Sequence, residues 1–114
     1  MSKKILAIIP ARGGSKGIKN KNIKKIFNKP LIYWTIKEAK KNRNISKIIV
    51  STDSNKIKNI SLKYNVSVPF LRPRNISNDN SSDYALISHA INFFKKKKIF
   101  FEYILLLQPT SPLR

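Results

Sequence analysis

The sequence predicts an α/β fold, a mainly parallel sheet flanked by helices, and three observations carry that prediction. Four short apolar runs rich in Ile, Val and Leu alternate with three stretches whose apolar residues recur at helical spacing. The unusual polar residues gather in the segments that follow the runs. In parallel sheets ligands bind beyond the carboxyl ends of the strands, so these segments are where function is expected.

The elements follow in order. Lys3 to Ile9 is a short, nearly continuous apolar run, suited to a buried strand. A loop from Pro10 to Asn22 comes next. Pro30 can open a helix, over which Leu31, Ile32, Trp34, Ile36 and Ala39 supply apolar residues before the basic end Lys40-Lys41. Lys47 to Ser51 reads as the second strand. Asp53 or Ser54 can cap the second helix, with Ile57, Ile60 and Tyr64 facing the sheet. Val66 to Leu71 fits a third strand, short and interrupted by Pro69. After a polar loop over Arg72 to Ser82, a third helix carries Leu86, Ala90, Phe93 and Phe94 on one stripe. Phe101 to Leu107 is the last strand, and the alternation implies right-handed crossovers.

Composition removes several classes of chemistry. With no cysteine and one histidine, neither a disulfide framework, a thiolate zinc site nor a multi-histidine metal site can form. The apolar run after Met1 is too short for a signal core or a membrane span, so a cytoplasmic protein with no membrane partner is expected. The formal net charge of +19 invites a nucleic-acid reading. Its lysines are scattered through every segment, and the loops hold almost no aromatic besides Phe70 for bases to stack on. A basic nucleic-acid-binding protein therefore stays as an alternative of lower rank.

The loop after the first strand holds all three glycines, Gly13, Gly14 and Gly17, with Arg12, Ser15, Lys16 and Lys21. Glycines let backbone N–H groups approach an anion, and the basic side chains bring the charge a triphosphate needs. The spacing is neither that of a Walker A loop nor that of a dinucleotide-binding loop. On glycine content alone, a basic surface turn is an equal alternative to a phosphate cradle.

The string IPARGGSKGIKNKNI resembles the signature of the acylneuraminate cytidylyltransferase family, whose members make CMP-sialic acid and its legionaminate and pseudaminate relatives. Three further blocks extend the resemblance in order: VSTD at Val50 to Asp53, LRP at Leu71 to Pro73 followed by Asp79, and LLQPTSPLR at Leu106 to Arg114. Lys19 stands where many relatives carry proline. Members run to about twice this length, so residues 1–114 are expected to be the N-terminal nucleotide-binding portion of an incomplete Rossmann-like nucleotide-diphospho-sugar transferase fold. The family's homodimer is not expected for such a portion, and apolar surface left uncovered is expected either to lower solubility or to be stabilised by a partner chain.

The resemblance implies transfer of CMP from CTP to an acidic nine-carbon sugar, with release of pyrophosphate. Arg12 and Lys21 would hold the triphosphate as the catalytic pair, and Gly13, Gly14, Ser15 and Lys16 would line the cradle. Asn22, Arg72 and Ser82 would contact cytosine and ribose, and Gln108 and Thr110 would reach the sugar. Mg²⁺ is the implied cofactor, with its ligands beyond Arg114. A remnant that retains CTP binding without turnover is the other alternative.

Several residues are assigned plainer roles. Asp53 is expected to be a helix cap rather than a ligand. His89 is assigned to packing or a surface hydrogen bond, Tyr33 and Trp34 to the core or its edge, and Lys95 to Lys98 to a solvated helix end favoured by the helix dipole.

Overall fold

Leu6, Ala7, Ile8 and Ile9 are fully buried, which a strand achieves only when both faces of its sheet are covered. They lie on β1 (Ile5–Pro10) in the computed structural model, which describes residues 4–15, 18–19, 25–73 and 82–109. β1 runs parallel to β6 (Lys47–Ser51) on one side and to β7 (Tyr103–Leu106) on the other, with Ile8 opposite Ile49 and Leu106. The α/β fold predicted from the alternating pattern is the one observed.

Two-residue alternation sorts the side chains of these strands between two cores. Ile9, Ala11 and Val50 pack with Ile32, Ile36 and Ala39 of α1 (Leu31–Lys41) and Ile57 of α2 (Asn55–Lys63). Leu6, Ile8 and Ile49 pack on the opposite face against Leu86, Ala90 and Phe94 of α3 (Asp83–Lys96). Most positions of the helical stripes read from spacing are buried; Ile60, Tyr64 and Phe93 are half-buried neighbours of the two cores, and Trp34 is half-buried. Short antiparallel pairs complete the elements: β2 (Gly14–Ser15) with β3 (Ile18–Lys19), and β4 (Lys25–Ile26) with β5 (Lys29–Pro30).

The expected third strand is present only in part. Beside β6 the chain makes two isolated parallel bridges, Ser67 to Ile49 and Leu71 to Thr52, instead of a continuous ladder. Pro69 lies between them and offers no N–H, so the ladder breaks there. With this segment included, the spatial order is third run, β6, β1, β7. In that order the direction of strand addition switches between β1 and β7, and it is beyond the strand ends at such a switch point that parallel sheets bind ligands.

Helix ends follow local chemistry. Pro30 is the N-cap residue of α1, without a side-chain cap bond, and Ser54 and Ser82 cap α2 and α3 by accepting from the N–H groups of Ile57 and Ala85. α3 closes in a Schellman turn, with Ile99 N–H donating to Phe94 O and Lys98 N–H to Lys95 O, each at 2.9 Å. Lys98 holds the left-handed position there, at φ 61°. The Trp34 indole donates to Ile26 O at 2.9 Å and meets Tyr33 and Phe27 edge-on, which pins β4 to α1.

Candidate functional site

Three chain crossings bring polar residues together at the carboxyl ends of the strands. Ala11 N–H donates to Ser51 O at 2.9 Å, which carries β1 on into Arg12 and Gly13 beside the end of β6. Arg72 N–H donates to Thr52 O at 2.7 Å, drawing the third run to the same place. Leu107 N–H donates to Ile8 O at 2.9 Å, so Gln108 emerges just beyond β1's other neighbour. Backbone hydrogen bonding alone thus gathers Arg12, Gly13, Asp53 and Arg72, with Gln108 across β1 from them.

The side chains make this end of the sheet unlike the apolar core behind it. Ser51, Thr52 and Arg72 are buried, Arg72 to 4% exposure. Burial pulls the Arg72 guanidinium below its ordinary pKa; Asp53 opposes that shift and Arg12 adds to it, so the three charges share one electrostatic neighbourhood. A guanidinium held in a poorly solvated place by the fold loses little freedom when it meets an anion.

Asp53 corrects the expectation drawn from sequence. It does not cap α2; Ser54 does, its Oγ accepting from Ile57 N–H at 3.2 Å. Ser54 N–H in turn donates to Thr52 Oγ1 at 3.1 Å, closing a tight turn. The Asp53 carboxylate instead accepts from Gly13 N–H at 2.9 Å. A side chain at Gly13 would not fit: a Cβ there would meet Ser54 Cβ at 2.9 Å. Sequence reasoning had one signal for this arrangement, since Ser54 can cap the helix alone and leaves Asp53 without that task.

The other expected contacts are placed as follows. Gly14 and Ser15 form β2, and Ser82 lies exposed at the start of α3, where its hydroxyl accepts from Ala85 N–H at 3.1 Å and keeps its own proton for another partner. Gln108 is exposed. Lys16, Lys21, Asn22 and Thr110 lie outside the described residues, as do Asp79 and the last residues of LLQPTSPLR. His89 packs against the edge of Phe70, ring centroids 4.5 Å apart, in keeping with a packing role, and its Nδ1 is buried with no hydrogen-bond partner among the described residues. Burial lowers its pKa, and the charges of Arg72 and Lys96 lower it further.

Among the described residues no three His, Asp or Glu side chains converge on a possible cation position. The Asp53 carboxylate accepts from Gly13 N–H and acts on the Arg72 guanidinium. The described residues therefore do not fit a divalent-cation site on their own. No described helix is long and apolar enough to cross a membrane.

Comparison with known proteins finds relatives over nearly the whole chain. The family model described as Cytidylyltransferase matches residues 6–113. CMP-N,N'-diacetyllegionaminic acid synthase of Legionella pneumophila is 41% identical over 97% of this chain and 48% of its own length. N-acylneuraminate cytidylyltransferase of Escherichia coli is 41% identical over 100% of this chain and 26% of its own. Pseudaminic acid cytidylyltransferase of Campylobacter jejuni is 37% identical over 96% and 47%. The chain thus spans half or less of the length of these relatives. The solved structure of CMP:2-keto-3-deoxy-manno-octonic acid synthetase complexed with CTP superposes with a TM-score of 0.78 at 21% identity, covering 97% of this chain and 42% of that one, and so shares its fold.

Proposed function

The chain belongs to the cytidylyltransferase family, and from that premise we propose that residues 1–114 are the nucleotide-binding portion of an enzyme that transfers CMP from CTP to an acidic nine-carbon sugar. The observation that supports this most is the gathering of Arg12, Gly13, Asp53 and Arg72 at one end of the sheet, beside the switch point between β1 and β7. Relatives named for legionaminic, N-acylneuraminic and pseudaminic acids point to a sugar acid of that class. The neighbour of like fold was solved with CTP.

In this reading a hydroxyl of the sugar attacks the α-phosphorus of CTP, the bond to the β-phosphate oxygen breaks, and pyrophosphate leaves. Little covalent work falls to the protein in phosphoryl transfer; positioning and charge neutralisation dominate. Arg12, with Lys16 and Lys21 of the same loop, would bind the triphosphate, and Arg72, Asn22 and Ser82 would orient cytidine. Gln108 and Thr110 would approach the sugar from the other side of β1. Mg²⁺ would neutralise phosphate charge when bound; we assign its ligands to no described residue. A cytoplasmic setting suits such a substrate pair.

Calorimetric titration of the chain with CTP and Mg²⁺, set against UTP, GTP and a mixed DNA oligonucleotide at physiological salt, tests this. Saturable binding that favours CTP is expected. Equal, salt-sensitive binding to every polyanion would show that the net charge of +19 acts alone.

A further inference from the structure

Resting on that nucleotide reading, we propose that Asp53 is a positioning residue: its carboxylate holds Gly13 N–H inward, so this N–H shapes the phosphate loop and is not itself a phosphate donor. Three observations converge on it. Gly13 N–H donates to Asp53 Oδ1 at 2.9 Å across 40 residues of sequence, in a partly buried place. The absence of a side chain at Gly13 serves close approach to Ser54, since an added Cβ would meet Ser54 Cβ at 2.9 Å. The helix-capping task that would otherwise account for an aspartate here belongs to Ser54.

The chemistry of the pair gives the role its direction. A carboxylate repels a triphosphate, so one placed beside two arginines of an anion site needs a reason to be there. Accepting a partly buried backbone N–H is such a reason, because the loop must enter the site at a fixed angle and an N–H committed to a carboxylate does not swing. The charge of Asp53 also favours the charged form of the Arg72 guanidinium against burial, an effect secondary to the hydrogen bond from Gly13 N–H. Anion contact then falls to Arg12 and to the loop beyond Gly13.

The test combines two variants with two readouts. Asp53→Ala removes the acceptor and Asp53→Asn keeps an Oδ1 acceptor while removing the charge. Asp53→Ala is expected to weaken CTP binding about tenfold or more, the effect of one charge-assisted hydrogen bond, and Asp53→Asn to stay within about threefold of the unsubstituted chain or to bind more tightly. With only three glycines in the sequence, the Gly13 amide can be followed by nuclear magnetic resonance. Its exchange protection should vanish in Asp53→Ala, persist in Asp53→Asn, and survive saturation of the unsubstituted chain with CTP.

Unchanged CTP affinity in a folded Asp53→Ala chain would overturn the proposal. So would a through-hydrogen-bond coupling from the Gly13 amide to a CTP phosphorus in the saturated chain, which would make Gly13 a phosphate donor. Should Asp53→Ala fail to fold, a folded Asp53→Asn chain that loses tenfold in affinity overturns it equally, because the charge and not the hydrogen bond would then be required. Absence of CTP binding in the unsubstituted chain removes the nucleotide reading and this role with it, an outcome distinct from the others.

Discussion

β1 and β7 are neighbours in one parallel sheet and both are apolar strings, ILAIIP and YILL, yet their surroundings are opposite. β1 has a strand on each side, a helix layer on each face, and polar segments bonded to its carboxyl end. On β7, Tyr103 is 49% and Leu105 36% exposed, and Ile99 and Phe100 before it are exposed as well. Hydrophobic residues drive burial wherever a partner surface is within reach, and roughly 25 cal/mol per Å² is forgone where none is. The comparison teaches that apolar content identifies a strand, while what lies beside and over it decides its energy. The organised half of the proposed nucleotide site sits on the well-covered side of β1, and the side proposed to face the sugar is built on the exposed strand.

Truncating one residue on each strand sharpens that comparison most. Ile8→Ala, in the middle of β1, is expected to cost about 2–5 kcal/mol through lost burial and the cavity left behind. Leu105→Ala on β7 should change stability by about 0.5 kcal/mol or a little more. Urea denaturation of both variants measures the difference, and equal losses would mean that β7 is as well packed as β1.

The next effect lies where loop meets helix cap. Gly13→Ala forces a Cβ onto Ser54 Cβ and should destabilise by about 1–3 kcal/mol, with CTP affinity falling alongside. A neutral result in thermal melting would show that the loop is not seated on the cap. Ser54→Ala removes the α2 cap and should cost about 1 kcal/mol by the same measurement. Lys98→Gly works in the opposite direction: relieving a left-handed lysine in the Schellman turn should stabilise by a few tenths of a kcal/mol to about 1 kcal/mol.

The smallest expected effect is a pH dependence on the α3 side. Burial lowers the folded-state pKa of His89 below the ordinary imidazole value of about 6.5. As pH falls through about 6.5 the unfolded chain takes up a proton that the folded chain resists, so stability should decline from there and level off below the folded-state pKa. His89→Phe should flatten this part of the stability curve between pH 7 and 5. A curve of unchanged slope in the variant would assign the dependence elsewhere.

Much of the fold was legible because its signals are local. Alternating strand and helix periodicity found β1, β6, β7 and all three helices to within a few residues, and most positions of the helical stripes are buried. The third strand was read as continuous where Pro69 leaves only two bridges, since the missing N–H acts on pairing and not on the apolar pattern. Arg12 and Gly13, singled out by residue type, and Arg72, implied by the family resemblance, lie together at the strand ends. Asp53 was misassigned because its partner lies 40 residues away, and a carboxylate preceding a helix looks the same in sequence whether it caps or reaches across a sheet. The exposure of Tyr103 and Leu105 could not be read from YILL at all, for it depends on what lies beside and over the strand among the described residues.

The most direct measurement compares the CTP affinity of Arg12→Ala with that of a Lys95→Gln/Lys96→Gln double variant, which removes two exposed charges from the end of α3. Loss of about tenfold or more in Arg12→Ala, with the double variant binding as the unsubstituted chain does, is the predicted result. Equal weakening in both would contradict a nucleotide site at the strand ends and leave the overall positive charge as the source of binding.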